Sequence, residues 1–226
     1  MNREENRLEW KGRGMSFLEK LSPLHLDILK EVGNIGAGNA ATALSTLLNK
    51  KIDMEVPDVR ILPFDEMLDL AGGPETIIAS VFLRICGDAP GSMFFVLPPS
   101  QAACFIQQMT DERDISFESP PFSEIAVSAL QELGNILTGS YLSALSDFTR
   151  LNLQPSVPAL SIDMAGATIG SGLIELSQVS DLAIVIDTAI SGVGLDTNFV
   201  NGHFFLLPDP ESFEIIFASL GVATND

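Results

Sequence analysis

Basic side chains are scarce. Against 30 Asp and Glu the chain carries only 12 Lys and Arg, a net charge of -18 over 226 residues, and the cations form no local cluster. A phosphate backbone or an anionic lipid surface would be repelled, so nucleic acid and membrane are excluded as partners. Cysteine is nearly absent. The two residues, Cys86 and Cys104, fall in stretches that read as a strand end and a helix. With no signal peptide and no apolar run long enough to span a bilayer, a reduced pair of small buried residues in the cytoplasm is expected rather than a disulfide. Histidine is equally rare: His25 and His203 stand far apart without carboxylates or thiols at ligand spacing, which excludes a zinc site. No Ser/His/Asp or Cys/His arrangement suggests nucleophilic catalysis either.

What the chain does have is apolar content, 46%, enough for a full core, and a pattern written twice. Asp27, Glu31, Asn34 and Pro57 recur as Ser128, Glu132, Asn135 and Pro158, each displaced by 101 residues. Leu29 and Leu130, Gly33 and Gly134, Ile35 and Ile136, Gly38 and Gly139 keep that offset, as does Ala43-Leu44-Ser45 with Ala144-Leu145-Ser146. An isolated Glu-x-x-Asn carries no information, but two copies in register identify an internal duplication.

Residues 1–14 mix charges of both signs with two glycines and read as a flexible leader; residues 15–226 are expected to form a single domain of two repeats, about 22–110 and 119–220. Ser22-Pro23 supplies a cap and a first-turn proline, and apolar residues at Ile28, Val32, Ile35, Leu44 and Leu48 predict a helix over about 23–49. The second helix is predicted to open at Ser119-Pro120-Pro121 and run to about 148. Proline-marked extended stretches follow at Glu55–Leu62 and Gln154–Met164, then strands at Thr76–Ile85, Gly91–Leu97, Leu182–Ser191 and His203–Leu207. Phe94-Phe95 and Phe204-Phe205, each leading to Leu-Pro, extend the repeat at an offset of 110. That implies nine residues inserted in the second half, about four before Ile190 and five in the hairpin Gly192 to Gly202. Closing helices are expected at Ser100–Met109 and Pro210–Leu220. The fold class is then α+β: a pseudo-twofold unit with two long helices packed on one continuous, mainly antiparallel sheet, each half contributing a three-stranded group.

On a helix, positions separated by four and then three residues share a face. Asp27, Glu31, Asn34 and Gly38 form one polar stripe and Ser128, Glu132, Asn135 and Gly139 its counterpart, with Ile28, Val32 and Ile35 assigned to the core about 100° away. Glycines 33, 36, 38, 134 and 139 cost about 1 kcal/mol each relative to Ala in a helix interior, which calls for close approach of another backbone, the chain's own or a partner's. A carboxamide can both accept from and donate to a water, and a carboxylate can pair with a lysine. Such a pair suits a protein that completes another protein's active site, where metal and phosphate are already held and only the attacking water needs alignment.

The segment EVGNIGAGNAATALS, with both doubled motifs complete through Pro57 and Pro158, resembles the CheC family of bacterial and archaeal chemotaxis over about residues 15–220. The resemblance implies a hydrolase, a cytoplasmic phosphatase acting on the phospho-aspartate of the response regulator CheY. Glu31 and Glu132 would pair with the receiver's lysine, and Asn34 and Asn135 would orient the water. Asp27 and Ser128 would secure the docking face, while Pro57 and Pro158 would fix the following strand. It implies no cofactor of the chain's own, the magnesium ion being held by the receiver, and it implies a second partner, the receptor deamidase CheD. The small-residue-rich segment Asp163 to Ser177 suits a short helix or strand offered to CheD, and equally an ordinary packed connection. Gly36-Ala37-Gly38 becomes Leu137-Thr138-Gly139 in the second copy, so access beside Asn135 is expected to be narrower. Competing readings are a non-catalytic adaptor that sequesters CheD and a flagellar-switch component, although no further C-terminal domain of the FliY type is expected.

Overall fold

Each long helix begins behind a serine and ends in a left-handed residue, and all four positions obey the 101-residue offset. The structure, a computed structural model, describes residues 22–110, 114–176, 182–192 and 200–221. Their order is α1 (Pro23–Leu48), β1 (Ile52–Glu55), β2 (Val59–Pro63), α2 (Phe64–Leu70), β3 (Ile77–Gly87), β4 (Gly91–Leu97), α3 (Pro99–Thr110), α4 (Glu124–Thr149), β5 (Leu153–Pro155), β6 (Ala159–Met164), α5 (Ala165–Leu176), β7 (Leu182–Gly192), β8 (Val200–Pro208) and α6 (Pro210–Ser219). The expected leader lies outside the described residues.

Ser22 donates its backbone N–H to Nδ1 of buried His25 at 3.0 Å, and Ser123 Oγ accepts from the Ala126 amide at 3.4 Å. Asn49 and Arg150 close the helices at φ 48° and 59°. The second helix therefore opens at Ser123, the partner of Ser22, and not at Ser119. Consecutive prolines hold the residue before them in extended backbone and so keep that segment out of the helix.

The eight strands form one antiparallel sheet in the order β1-β7-β8-β4-β3-β5, with β2 continuing alongside β7 and β6 alongside β3. The hairpins β3–β4 and β7–β8 meet at the centre, Phe94 opposite Phe205. The three-stranded group expected within each half does not form. The strands that follow α1 pair with the hairpin of the second half, and those that follow α4 pair with the hairpin of the first, so the halves exchange strands. A lone hairpin is marginal in water, and the exchange gives each one a covered outer edge.

Register also corrects the repeat alignment. Side chains alternate between faces of a strand. Phe95 and Phe204 point into the core beneath the long helices, whereas Phe94 and Phe205 point into a second core beneath α2 and α5. An offset of 110 would equate Phe94 with Phe204 on the opposite face. An offset of 111 preserves the faces and aligns Gly91 with Gly202, Phe94 with Phe205 and Pro99 with Pro210. Measured against the outer strands, β3 and β7 are offset by 105, since Ile52–Gly192 matches Leu153–Gly87 and Val59–Ile186 matches Leu160–Val81, while the inner pairs Arg84–Ser92 and Asp187–His203 give 103. The growth from 101 to 111 is ten residues rather than nine; the outer strands put four of them before β7, as expected, and six around the β7–β8 turn, whose residues 193–199 lie outside the described ones. Sequence reading also passed over α2, seven residues behind a proline, and left open the helix α5.

Two close approaches set the position of the long helices. A Cβ on Gly36 would lie 2.9 Å from the Cα of Tyr141, and one on Gly134 would lie 2.4 Å from Cγ2 of Val81. The first marks the crossing of α1 and α4, the second the seating of α4 on the sheet. At the crossing, the Tyr141 ring lies 4.1 Å from that of Phe204 between centroids and its hydroxyl meets Thr188 Oγ1 at 2.9 Å. Burial pushes the phenol up to about 12 despite that hydrogen bond. Gly134→Ala should lower the unfolding free energy by about 1–3 kcal/mol, the usual cost of overpacking. Gly139→Ala, where an added Cβ meets nothing within 4 Å, should raise it by about 0.5–1 kcal/mol. Urea denaturation of both variants measures the difference, and equal effects would refute the close approach at Val81.

Candidate functional site

The two polar stripes lie on the outer surface of the α1–α4 layer. Asp27, Glu31 and Gly38 are exposed and Asn34 is half-buried; Ser128, Glu132 and Asn135 are exposed and Gly139 is half-buried. The core takes Leu29, Val32, Ala37, Ala40 and Leu44 from α1 and Leu130, Leu133, Leu137 and Leu145 from α4, leaving the stripes to solvent. Ile35 departs from expectation. It is 42% exposed, because the close crossing at Gly36 turns the apolar seam of α1 toward Gly36, Ala37 and Ala40. The helices pack side by side and antiparallel, with Leu47 and Leu48 of α1 beside Ile125 of α4, so the stripes occupy opposite ends of the layer, related by the pseudo-twofold.

The proline of each motif sits in the link between an outer strand pair, β1–β2 or β5–β6, where the chain returns along its own helix. Lys30 donates from Nζ to the Pro57 carbonyl, and Gln131 donates from Nε2 to the Pro158 carbonyl at 3.4 Å. Lys30 and Gln131 are equivalent positions immediately before the motif glutamates. They tie the proline link to the helix, and sequence reading missed them because their residue types differ.

The asparagines differ. Asn34 Oδ1 accepts from the Val56 amide at 3.0 Å, whereas the Asn135 carboxamide has no hydrogen-bond partner among the described residues. The loops explain this: Val56 is 2% exposed and its counterpart Val157 is 86% exposed, so the first link folds against its helix and the second stands away. The expected narrowing beside Asn135 is not found. Leu137, the counterpart of Gly36, and Thr138 are fully buried, and neither side chain reaches the solvent face of Asn135.

Both cysteines are free and exposed, correcting the expectation that they are buried. Cys86 lies near the end of β3 opposite Gln154 of β5, and Cys104 lies on the outer side of α3, so neither position is claimed by a core. The histidines have structural roles: His25 meets Phe217 edge-on at 5.3 Å, and His203 Nδ1 lies 2.7 Å from Asp187 Oδ1. Among the described residues no group of three or more His, Cys, Asp or Glu side chains is arranged to hold a metal ion, and no helix is long and apolar enough to cross a membrane.

The sequence profile of the CheC-like family matches residues 24–61 and 125–162, the two copies of helix, link and outer strands. The CheY-P phosphatase CheC of Bacillus subtilis (strain 168) is 50% identical over 209 residues, 92% of this chain and the whole of that protein. Among solved structures, FliY of Thermotoga maritima superposes with a TM-score of 0.66 at 21% identity, over 89% of this chain and 98% of that one. The middle domain of FliM from H. pylori gives 0.63 at 14% identity, over 88% and 99%. These two likenesses establish the fold.

The different settings of the asparagines have a measurable consequence. Asn34→Ala leaves the Val56 amide without its acceptor and should destabilise the fold by about 1–3 kcal/mol, while Asn135→Ala should stay within about 0.5 kcal/mol of the parent. Thermal or urea unfolding of the two variants checks this, and equal stabilities would rule out the Asn34–Val56 bond.

Proposed function

This chain belongs to the CheC-like family, and on that footing we propose that it is a phosphatase of a phosphorylated CheY-like receiver, acting in the cytoplasm through two equivalent sites. The observation that carries this reading is the doubled stripe itself. Glu31 with Asn34, and Glu132 with Asn135, stand one helical turn apart on solvent-facing surfaces, repeated at equivalent places in a chain whose 50%-identical relative is a CheY-P phosphatase.

The receiver supplies the acyl phosphate, its lysine and its magnesium ion as parts of the substrate. Glu31 or Glu132 pairs with that lysine and sets the helix across the phosphorylation site. Asn34 or Asn135 then donates through Nδ2 toward the phosphoryl group and accepts through Oδ1 from a water, holding it for in-line attack. The water oxygen bonds to phosphorus as the bond to the aspartyl oxygen breaks. The products are inorganic phosphate, which takes up the water's proton, and a free aspartate. Asp27 and Ser128 extend the contact by one turn. Gly38 and Gly139, beside which an added Cβ would meet nothing within the chain, leave room for the receiver's backbone.

A second role, binding the deamidase CheD, is favoured by α5, which spans 12 residues where its counterpart α2 spans 7, and by Met164 at its foot, 49% exposed. If calorimetry with purified CheD detects no binding by the parent protein, this role is lost and the phosphatase reading stands.

Phosphate release from magnesium-bound, phosphorylated CheY tests the main reading. Each of Asn34→Ala and Asn135→Ala should retain part of the acceleration, the Asn135 variant losing more because Asn34 must share its oxygen with Val56. The double variant should fall to the receiver's own rate. Gly38→Ala and Gly139→Ala should be slower while no less stable. A parent protein that gives no acceleration with its cognate receiver would refute the phosphatase.

A further inference from the structure

Among the described residues nine large apolar side chains stand more than about a third exposed, and four of them are two equivalent pairs. Leu24 and Ile125 are 56% and 57% exposed, and Leu47 and Phe148 are 53% and 43% exposed; both pairs keep the 101-residue offset. Isolated exposed apolar residues need no explanation. Exposure repeated at matching positions of a duplicated fold does, for the same reason as the stripes.

Their placement is informative. Leu47 and Ile125 lie in one groove of about 560 Å³, whose lining includes Leu48 and Met109 and, on the same wall, the motif residues Ser128 and Glu132. The groove is built from both halves: the start of α4 carries the stripe, and the end of α1 supplies Leu47. The offset brings Leu24 to the start of α1, one turn before Asp27, and Phe148 to the end of α4. The second stripe is thus continued by an apolar pair, one member from its own helix and one from the other, and the pseudo-twofold assigns Leu24 and Phe148 to the first.

We propose that these pairs are receiver-docking residues, Ile125 with Leu47 at the second site and Leu24 with Phe148 at the first. They seat an apolar patch of the phosphorylated receiver next to its phosphorylation site and so set affinity. The proposal rests on the phosphatase reading and names the contact that reading lacks. A lysine–glutamate pair and a water-mediated contact at a solvent-exposed helix contribute little to association, and a transient interface needs a small desolvated apolar anchor. The groove is continuous with the stripe, so a receiver placed over Glu132 lies over Leu47 and Ile125 as well. Leu47 and Ile125 do not reach the reacting atoms, so their loss acts on binding and leaves the chemical step alone.

The test is made in an Asn34→Ala background, where turnover reports the second site. Leu47→Ser/Ile125→Ser should raise KM for the phosphorylated receiver by about tenfold with kcat within about twofold. Leu24→Ser/Phe148→Ser in the same background should leave both constants unchanged, and in an Asn135→Ala background the two double variants should exchange behaviour. Exposed positions tolerate serine, and a melting curve for each variant excludes unfolding as the cause. If Asn34→Ala accelerates release and Leu47→Ser/Ile125→Ser leaves KM in place, the docking proposal fails while the phosphatase reading survives. A fall in kcat at constant KM would also overturn it. Variants that alter sedimentation without altering KM would assign the groove to a second copy of this chain. If neither the parent protein nor either background accelerates release, the receiver is removed as the occupant together with the phosphatase reading.

Discussion

Everything on the working surface depends on the exchange of strands between the halves. Because β1 and β2 lie on β7, and β5 and β6 on β3, the link that carries each motif proline is anchored at one end by the opposite hairpin and at the other by Lys30 or Gln131 of its own helix. Asn34 is thereby held by its link as well as by its helix, whereas Asn135 is placed by its helix alone. A polar stripe on a lone helix would be only a solvated face; here helix, link and sheet fix its height and rotation. The glycine contacts at Tyr141 and Val81 supply the remaining constraints.

The same arrangement explains how near-identical motifs come to differ. At the crossing Gly36 of one helix meets Tyr141 of the other, because two full side chains cannot occupy a single crossing point. The first link buries Val56 against its helix and holds Asn34 through it, while in the second Val157 faces solvent and Asn135 is left open. A bulkier local sequence suggested a more obstructed second site, but bulk matters only where it points, and Leu137 points inward.

The long helices and their stripes were legible in the sequence because serine caps, 3.6-residue periodicity and a constant offset are local signals. The α+β class and the continuous sheet followed from the duplication. Strand exchange was not legible: β1 and β5 read the same whichever hairpin they join, and pairing partners more than 100 residues away leave no mark in a single chain. The displaced Phe alignment had a similar cause, since a doubled Phe fits two registers and only the face of the sheet separates them. Ile35 and the cysteines misled for a simpler reason. Apolar character shows that a residue can be buried, while packing decides whether it is, and α2 is too short to announce itself by periodicity.

The covalent join between the halves also has a meaning of its own. Two free half-chains exchanging strands would have to be identical if encoded once, so any change near one asparagine would appear near the other. Joining them through the segment between Thr110 and Glu124 replaces a concentration-dependent encounter with an effective concentration fixed by the tether, and it releases the halves from that identity. Asn34 can then be held by its own link while Asn135 stays open, two settings that one half encoded once could not hold in a single molecule.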